Sequence, residues 1–260
     1  DTLGSVRMPA SACGVCGIKP TYGLVSRYGI LPLAWSLDCA GPMARSAIDL
    51  SILLKVIVGE DPKDPTTKNF LNKKSLDNTL PEMNKLKFAI PCGEGFEFAN
   101  DVSRVFNNSI NIFKKQGSIV EDIKIEDRNK DFAACLVIQM SEATTYHKNF
   151  MKTSSEKYSQ NVLLKLETGR FISATDYLKA QQYRIIFNKK MSRIFDTYDT
   201  ILLPTLPVTA PKIGQERVIF QSKNVDSQKA MTYFPWIANF AGLPSVSIPC
   251  GFGDDDLPVG

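Results

Sequence analysis

Hydrophobic and polar positions change period several times along the chain, and each change marks an element. Residues 1–45 mix Gly, Pro and Ser with short β-prone pieces such as 22–25, a pattern of strands and core loops with closely approaching backbone. Ser46 with Asp49 three residues on is a capping pattern that predicts a helix start. Ile48, Leu53, Val56 and Ile57 supply its expected buried face, and Gly59 stops it. Asp61-Pro62-Lys63-Asp64-Pro65 then breaks the chain, and the polar stretch 66–86 reads as a surface connection.

Downstream the order becomes β-α-β. Residues 87–91 read as a strand, and 101–116 as a helix with Val102, Val105, Phe106, Ile110 and Phe113 at helical spacing. The alternation over 118–125 is a second strand, so parallel pairing under a helical cover is expected. Residues 131–196 are mostly helical, in two or three pieces broken near Gly169 and Ser173. A buried strand follows over 201–205, a loop over 207–227, and a last strand over 245–249. Phe234, Trp236 and Phe240 are at home in a core. The predicted fold class is α/β: a mixed, mostly parallel sheet with helices on both faces.

Composition narrows the field without naming a function. At 260 residues and 43% hydrophobic, the chain can bury one large core or two modest ones. Thirty-one basic residues against 27 acidic ones, spread along the chain, call for no nucleic-acid partner. No apolar run is long enough to span a bilayer, so no membrane partner is expected. Six irregularly spaced cysteines do not form a disulfide framework. Cys13 and Cys16 make a C-x-x-C, but no second pair follows and His147 is the sole histidine, so neither metal nor cofactor is expected.

The chemistry sits at the start. Asp1-Thr2-Leu3-Gly4-Ser5-Val6-Arg7-Met8-Pro9-Ala10 runs into Cys13-Gly14-Val15-Cys16-Gly17-Ile18-Lys19-Pro20-Thr21-Tyr22-Gly23. Val25-Ser26-Arg27-Tyr28-Gly29, Ser36-Leu37-Asp38 and Gly41-Pro42-Met43-Ala44-Arg45 follow. No G-x-S-x-G elbow or Ser-His-Asp set is present. This dense run resembles instead the stretch around the nucleophilic serine of the amidase signature family, hydrolases with a Ser–cis-Ser–Lys triad. Tyr177-Leu178-Lys179-Ala180 with Arg184, residues 199–207, and Ala241-Gly242-Leu243-Pro244 also fall where members carry similar patterns.

The resemblance implies that residues 1–260 are the C-terminal portion of a single amidase domain, truncated at both ends. Ser5 is then the nucleophile, and backbone N–H groups of Thr2, Leu3, Gly4 and Ser5 form the oxyanion hole. Asp1 and Arg7 match an ion pair that braces the nucleophile loop, whereas Asp38 and Arg45 are expected to be structural. The family's lysine and cis-serine lie upstream of Asp1, and Lys19 is no substitute base, so the isolated chain is expected to be inactive. Leu3 stands where the family usually has glycine. A positive φ there would cost on the order of 1–2 kcal/mol and the side chain would crowd the oxyanion, whereas an extended backbone would tolerate Leu3 and let it line the substrate pocket.

By the same resemblance the substrate is a small carboxylic amide, cleaved through an acyl-enzyme, in the cytoplasm. Arg184 matches the arginine with which the tRNA-dependent amidotransferase branch grips glutamine. No carboxylate stands near Thr232, where that branch has an acidic residue, so a general amidase is favoured. The rival readings are two. One is the glutaminase-type component of a tRNA-dependent amidotransferase, working with partner subunits. The other is an inactive remnant that acts only by docking other chains, such as a missing N-terminal amidase segment.

Overall fold

A computed structural model describes residues 1–67, 81–220 and 222–260. Of the polar connection expected over 66–86, residues 68–80 therefore lie outside the described residues. The first loop, residues 1–6, feeds a short helix, α1 (Arg7–Ala12). β1 (Cys16–Lys19) follows, then a long irregular stretch up to β2 (Met43–Ala44).

α2 (Ala47–Ile57) begins where the capping pattern puts it: the Asp49 N–H donates to Ser46 Oγ at 3.1 Å. Its buried face is not the expected one. Leu50 alone is buried, while Ile48 is 75% and Val56 74% exposed. The helix carries two apolar stripes, and it turns the one with Leu50 and Leu54 inward. Leu54 packs on Leu24, Val25 and Val58.

β3 (Lys87–Cys92), α3 (Asn100–Lys115) and β4 (Ile119–Lys124) form the expected β-α-β unit. β3 and β4 pair in parallel from Lys87 opposite Ile119 to Cys92 opposite Lys124. α3 buries Val102, Val105, Phe106 and Ile110, and its Phe113 ring lies 5.0 Å from Phe88 of β3. Each such side chain taken from water contributes about 1.5–3 kcal/mol, enough for one face to dock the helix.

The long helical span resolves into α4 (Arg128–Thr153), α5 (Gln160–Thr168) and α6 (Ala174–Phe195). The break after Thr153 was not foreseen. Ser154 and Ser155 stand there, residues whose hydroxyls compete with helical hydrogen bonding. The second break falls at Gly169 and Ser173 as expected. A Cβ on Gly169 would collide with Thr144 Oγ1 and the Met140 carbonyl, so only glycine lets this turn press onto α4. Ser173 and Asp176 then close a capping box at the start of α6.

β5 (Thr200–Ile201) adds in parallel to the free side of β3. Residues 207–227 are not simply a loop: β6 (Arg217–Phe220) and β7 (Lys223–Asp226) pair there antiparallel. Val218 and Phe220 alternate inward against Phe96, Tyr233 and Phe234, which is what makes a strand of the segment. After α7 (Ser227–Met231) and α8 (Trp236–Ala241), β8 (Ser245–Ser247) returns to pair antiparallel with β1, opposite β2. β9 (Gly251–Phe252) and β10 (Pro258–Val259) form a last antiparallel pair. The strand arrangement is mixed, as expected, and among the described residues parallel pairing is found in β4-β3-β5.

The largest core cluster positions the site. Leu3 and Leu37 meet Ile138 of α4, Phe187 of α6, and Trp236 and Phe240 of α8. The first loop is thus seated on three helices. Phe234, Trp236 and Phe240 are all buried core residues.

Candidate active site

Several polar contacts of the first loop converge on the Asp1 carboxylate. Asp1 Oδ1 accepts the Gly4 N–H at 2.9 Å, and Oδ2 accepts the N–H groups of Val6 and Arg7 at 3.2 and 3.4 Å. The Arg7 guanidinium grips the same carboxylate as a fork, Nε to Oδ2 at 3.1 Å and Nη2 to Oδ1 at 3.0 Å. Arg7 Nη2 also donates to Asn239 Oδ1 at 2.6 Å and to the Pro235 carbonyl at 2.9 Å. Both side chains of the ion pair are almost fully buried. Burial pulls the guanidinium down to about 9, which still leaves it charged at neutral pH. A buried, bidentate pair with its remaining donors satisfied fixes geometry more firmly than any surface pair.

The third member of this brace, Asn239, was not singled out from the sequence. Its Nδ2 donates to Asp1 Oδ1 at 2.8 Å and to the Asp1 carbonyl at 2.9 Å, tying α8 to the loop. A signal existed: it is the one polar side chain in the apolar helix Trp236–Ala241, and a buried amide needs partners. A second segment locks the loop from the other side. Thr2 Oγ1 donates to Asp38 Oδ1 at 2.6 Å, and Asp38 Oδ2 accepts from the Leu33 and Ala34 N–H groups. Asp38 thereby links the 33–34 backbone to Thr2 of the first loop.

Inside this frame Ser5 is exposed, and its hydroxyl has no hydrogen-bond partner among the described residues. The backbone N–H groups of Thr2, Leu3 and Ser5 likewise meet no acceptor among the described residues. Gly4 departs from the expected set of oxyanion donors, because its N–H is already given to Asp1. Its role is steric instead. Gly4 sits at φ +124°, and a Cβ there would lie 2.5 Å from Pro235 Cβ. Leu3 takes an ordinary negative φ, so the glycine-to-leucine departure carries no backbone strain. Its side chain packs into the main core, 6% exposed.

Two further cations bear on the site. Arg184 of α6 donates from Nε to the Phe240 carbonyl at 2.8 Å, and from Nη1 and Nη2 to the Ser36 hydroxyl and carbonyl at 3.1 and 2.9 Å. These bonds tie α6 to α8 and to the 33–39 segment, and they leave two of the five N–H donors of Arg184 for anything else. Lys19 is completely buried, with Nζ donating to the Pro20 carbonyl at 2.7 Å and lying 3.6 Å from Cys39 Sγ. Desolvation pulls it to about 8. Cys13 and Cys16 are free thiols, the first exposed and the second buried. Among the described residues no group of three or more His, Cys, Asp or Glu is arranged to hold a metal ion. Nor is any helix among them long and apolar enough to cross a membrane.

The loop is braced and presents a serine beside unpartnered N–H groups, and comparison with known proteins gives the family. All 260 residues match the family model described as Amidase. The chain therefore belongs to the amidase family. It is 32% identical over 268 residues to an amidase of Pseudomonas putida, covering 99% of this chain and 56% of that protein. It is 35% identical over 286 residues to a glutamyl-tRNA(Gln) amidotransferase component of Thermotoga maritima, covering 100% of this chain and 58% of that protein. A solved structure, described as an unexpected vestigial protein complex that reveals the evolutionary origins of an s-triazine catabolic enzyme, matches with a TM-score of 0.90. Its sequence is 26% identical, and the match covers 100% of this chain and 56% of that one. The chain spans little more than half the length of these relatives.

Proposed function

We propose that this chain carries the nucleophile of an amide hydrolase that cleaves a carboxylic amide to the acid and ammonia or an amine. One observation carries the reading: an exposed Ser5 stands beside the unpartnered N–H groups of Thr2, Leu3 and Ser5, on a loop braced by Asp1, Arg7 and Asn239. Ser5 Oγ attacks the amide carbonyl, whose π electrons move onto oxygen. The developing oxyanion takes the place that the three N–H groups leave unfilled, a device whose single donors each change rates by about 10²–10³. Collapse expels the protonated amine and leaves an acyl-enzyme, which water then hydrolyses. By family resemblance the proton of Ser5 passes through a cis-serine to a neutral lysine. Lys19 does not take that part, since its ammonium is engaged with Pro20 and Cys39.

A general amidase fits better than a glutaminase. Thr232 stands where an acidic partner for a glutamine ammonium would be needed, and Arg184 is largely engaged with Phe240 and Ser36. The likeness to the amidotransferase component supports a second reading, a glutamine-using chain that works with partner subunits. Ammonia release from simple amides against release from glutamine separates the two, and partner subunits that co-purify favour the second. Six unpaired cysteines support a reducing, cytoplasmic setting. The test of the chemistry is Ser5→Ala in this chain joined to an amidase segment that supplies the lysine and cis-serine: release of ammonia from simple amides is lost, and mass spectrometry of the unsubstituted protein finds the acyl adduct on Ser5 only. Unchanged release in Ser5→Ala, or an adduct on another residue, overturns the reading.

A further inference from the structure

A second concavity lies between α4 and the turn from α5 to α6, and none of its lining belongs to the nucleophile loop. It encloses about 760 Å³, the size of a small-ligand pocket. Trp35, Ile172 and Tyr177 give it apolar and aromatic walls. The Trp35 wall is fastened to α4 at two points. The Ser36 N–H donates to Glu142 Oε2 at 2.9 Å, and His147 Nε2 donates to the Pro32 carbonyl at 3.0 Å. Since that carbonyl can only accept, the proton of a neutral His147 is on Nε2, and Nδ1 accepts from the Tyr158 hydroxyl at 2.8 Å. The cavity is therefore preformed rather than a gap between loose loops.

Its charges are unevenly placed. Lys148 and Lys152, one turn apart on α4, stand at the rim with no carboxylate in ion-pair range among the described residues. Arg170 faces them from the α5–α6 turn, with Glu167 at 3.0 Å from its Nε. The start of α6 at Ser173 and Ala174 lines the same cavity, but its positive end is already met by the Asp176 carboxylate, which accepts from the Ser173 hydroxyl at 2.6 Å, so the attraction comes from the side-chain cations. Ser141 also lines it, with an Oγ that is cut off from solvent and without a partner behind the wall. The opposing charge is Glu142, at the inner wall, whose two oxygens accept from the Ser36 N–H and, at 3.0 Å, from the Tyr177 hydroxyl. A negative ligand group is thus repelled from the Glu142 end and drawn to the lysine end.

We propose that this cavity binds a small organic carboxylate, its apolar body against Trp35 and Tyr177 and its charged end at Lys148, Lys152 and Arg170. The proposal does not rest on the amide-hydrolase reading, because no residue of loop 1–7 takes part. Trp35 makes the test direct, since the other tryptophan, Trp236, is buried in the core. Benzoate is titrated into the protein while tryptophan fluorescence is followed, with benzyl alcohol as the uncharged analogue of similar shape. Saturable quenching is expected, with Kd of about 1 mM or tighter, and benzyl alcohol at least about tenfold weaker. Lys148→Gln with Lys152→Gln, both on the surface and neutral to the fold, weakens benzoate by about tenfold and leaves benzyl alcohol unchanged. No saturable response to benzoate, equal affinity for the alcohol, or unchanged affinity in the double variant would each overturn the proposal.

Discussion

Asp1 in the first loop and Arg7 at the start of α1 are six residues apart, and the fold turns them into a buried fork that no surface pair could match. Removing one partner leaves the other charge without compensation, so Arg7→Met is expected to cost about 3–5 kcal/mol, read from the urea midpoint. Arg7→Lys keeps the charge but not the two-pronged grip, and should recover only part of the loss. Gly4 tests the same loop by sterics. Alanine at φ +124° pays about 1–3 kcal/mol in backbone strain and meets Pro235 besides. Gly4→Ala is therefore expected to unfold at lower urea and, with the lysine and cis-serine supplied by a joined amidase segment, to lose ammonia release under conditions where it is still folded. Retained activity in the folded variant would mean that the position of Ser5 does not depend on this glycine. At this scale much was legible: the charges of Asp1 and Arg7 and the hydroxyl of Ser5 stand out in sequence. Asn239 and Glu142 did not, because a buried polar side chain declares itself only once its partners, 238 and 106 residues away, are known.

Elements were readable where a local signal and a tertiary need coincide. Ser46 caps the helix it was expected to cap, since a cap is settled within one turn of chain, and Ser173, expected only as a break, caps α6 in the same way. The inward face of α2 was not readable, because two apolar stripes run along one helix and only the neighbouring Leu24, Val25 and Val58 choose between them. The β6–β7 pair was missed for a related reason. Its alternation covers only four residues per strand, and it is packing of Val218 and Phe220 on Phe96 and Tyr233 that holds it. The α5–α6 turn combines both kinds of information and can be tested at two neighbouring points. Ser173→Ala removes one cap and should cost about 1 kcal/mol. Gly169→Ala forces a methyl group into Thr144 and the Met140 carbonyl, so it should cost about 1–3 kcal/mol through overpacking. Thermal unfolding that ranked Ser173→Ala as the more damaging change would show that α4 gives way easily at this contact.

Lys19 links one side chain to the stability of the whole molecule. It occupies the last position of β1, the central strand between β2 and β8, and is wholly buried. Its ordinary value of 10.5 falls to about 8 in the folded protein, first because burial disfavours the ammonium. Between those two values the unfolded chain holds a proton that the folded chain has released. Stability therefore rises with pH across the window from about 8 to 10.5, and below it the folded state bears a penalty on the order of 3 kcal/mol. Cys16, Cys135 and Cys250 act in the opposite sense. Burial raises their thiols, so their contribution is lost as pH climbs past the ordinary cysteine value of 9.0. The raw pH profile mixes these effects, and a difference between two proteins separates them. Lys19→Met keeps the length of the side chain and removes the titration, at the cost of the hydrogen bond to the Pro20 carbonyl. Urea unfolding of both proteins from about pH 7 to pH 10.5 should show the wild type gaining on the variant steadily above about pH 8. Curves that stay parallel across that range would mean that Lys19 keeps its proton in the folded state, and that its contacts with Pro20 and Cys39 outweigh its burial.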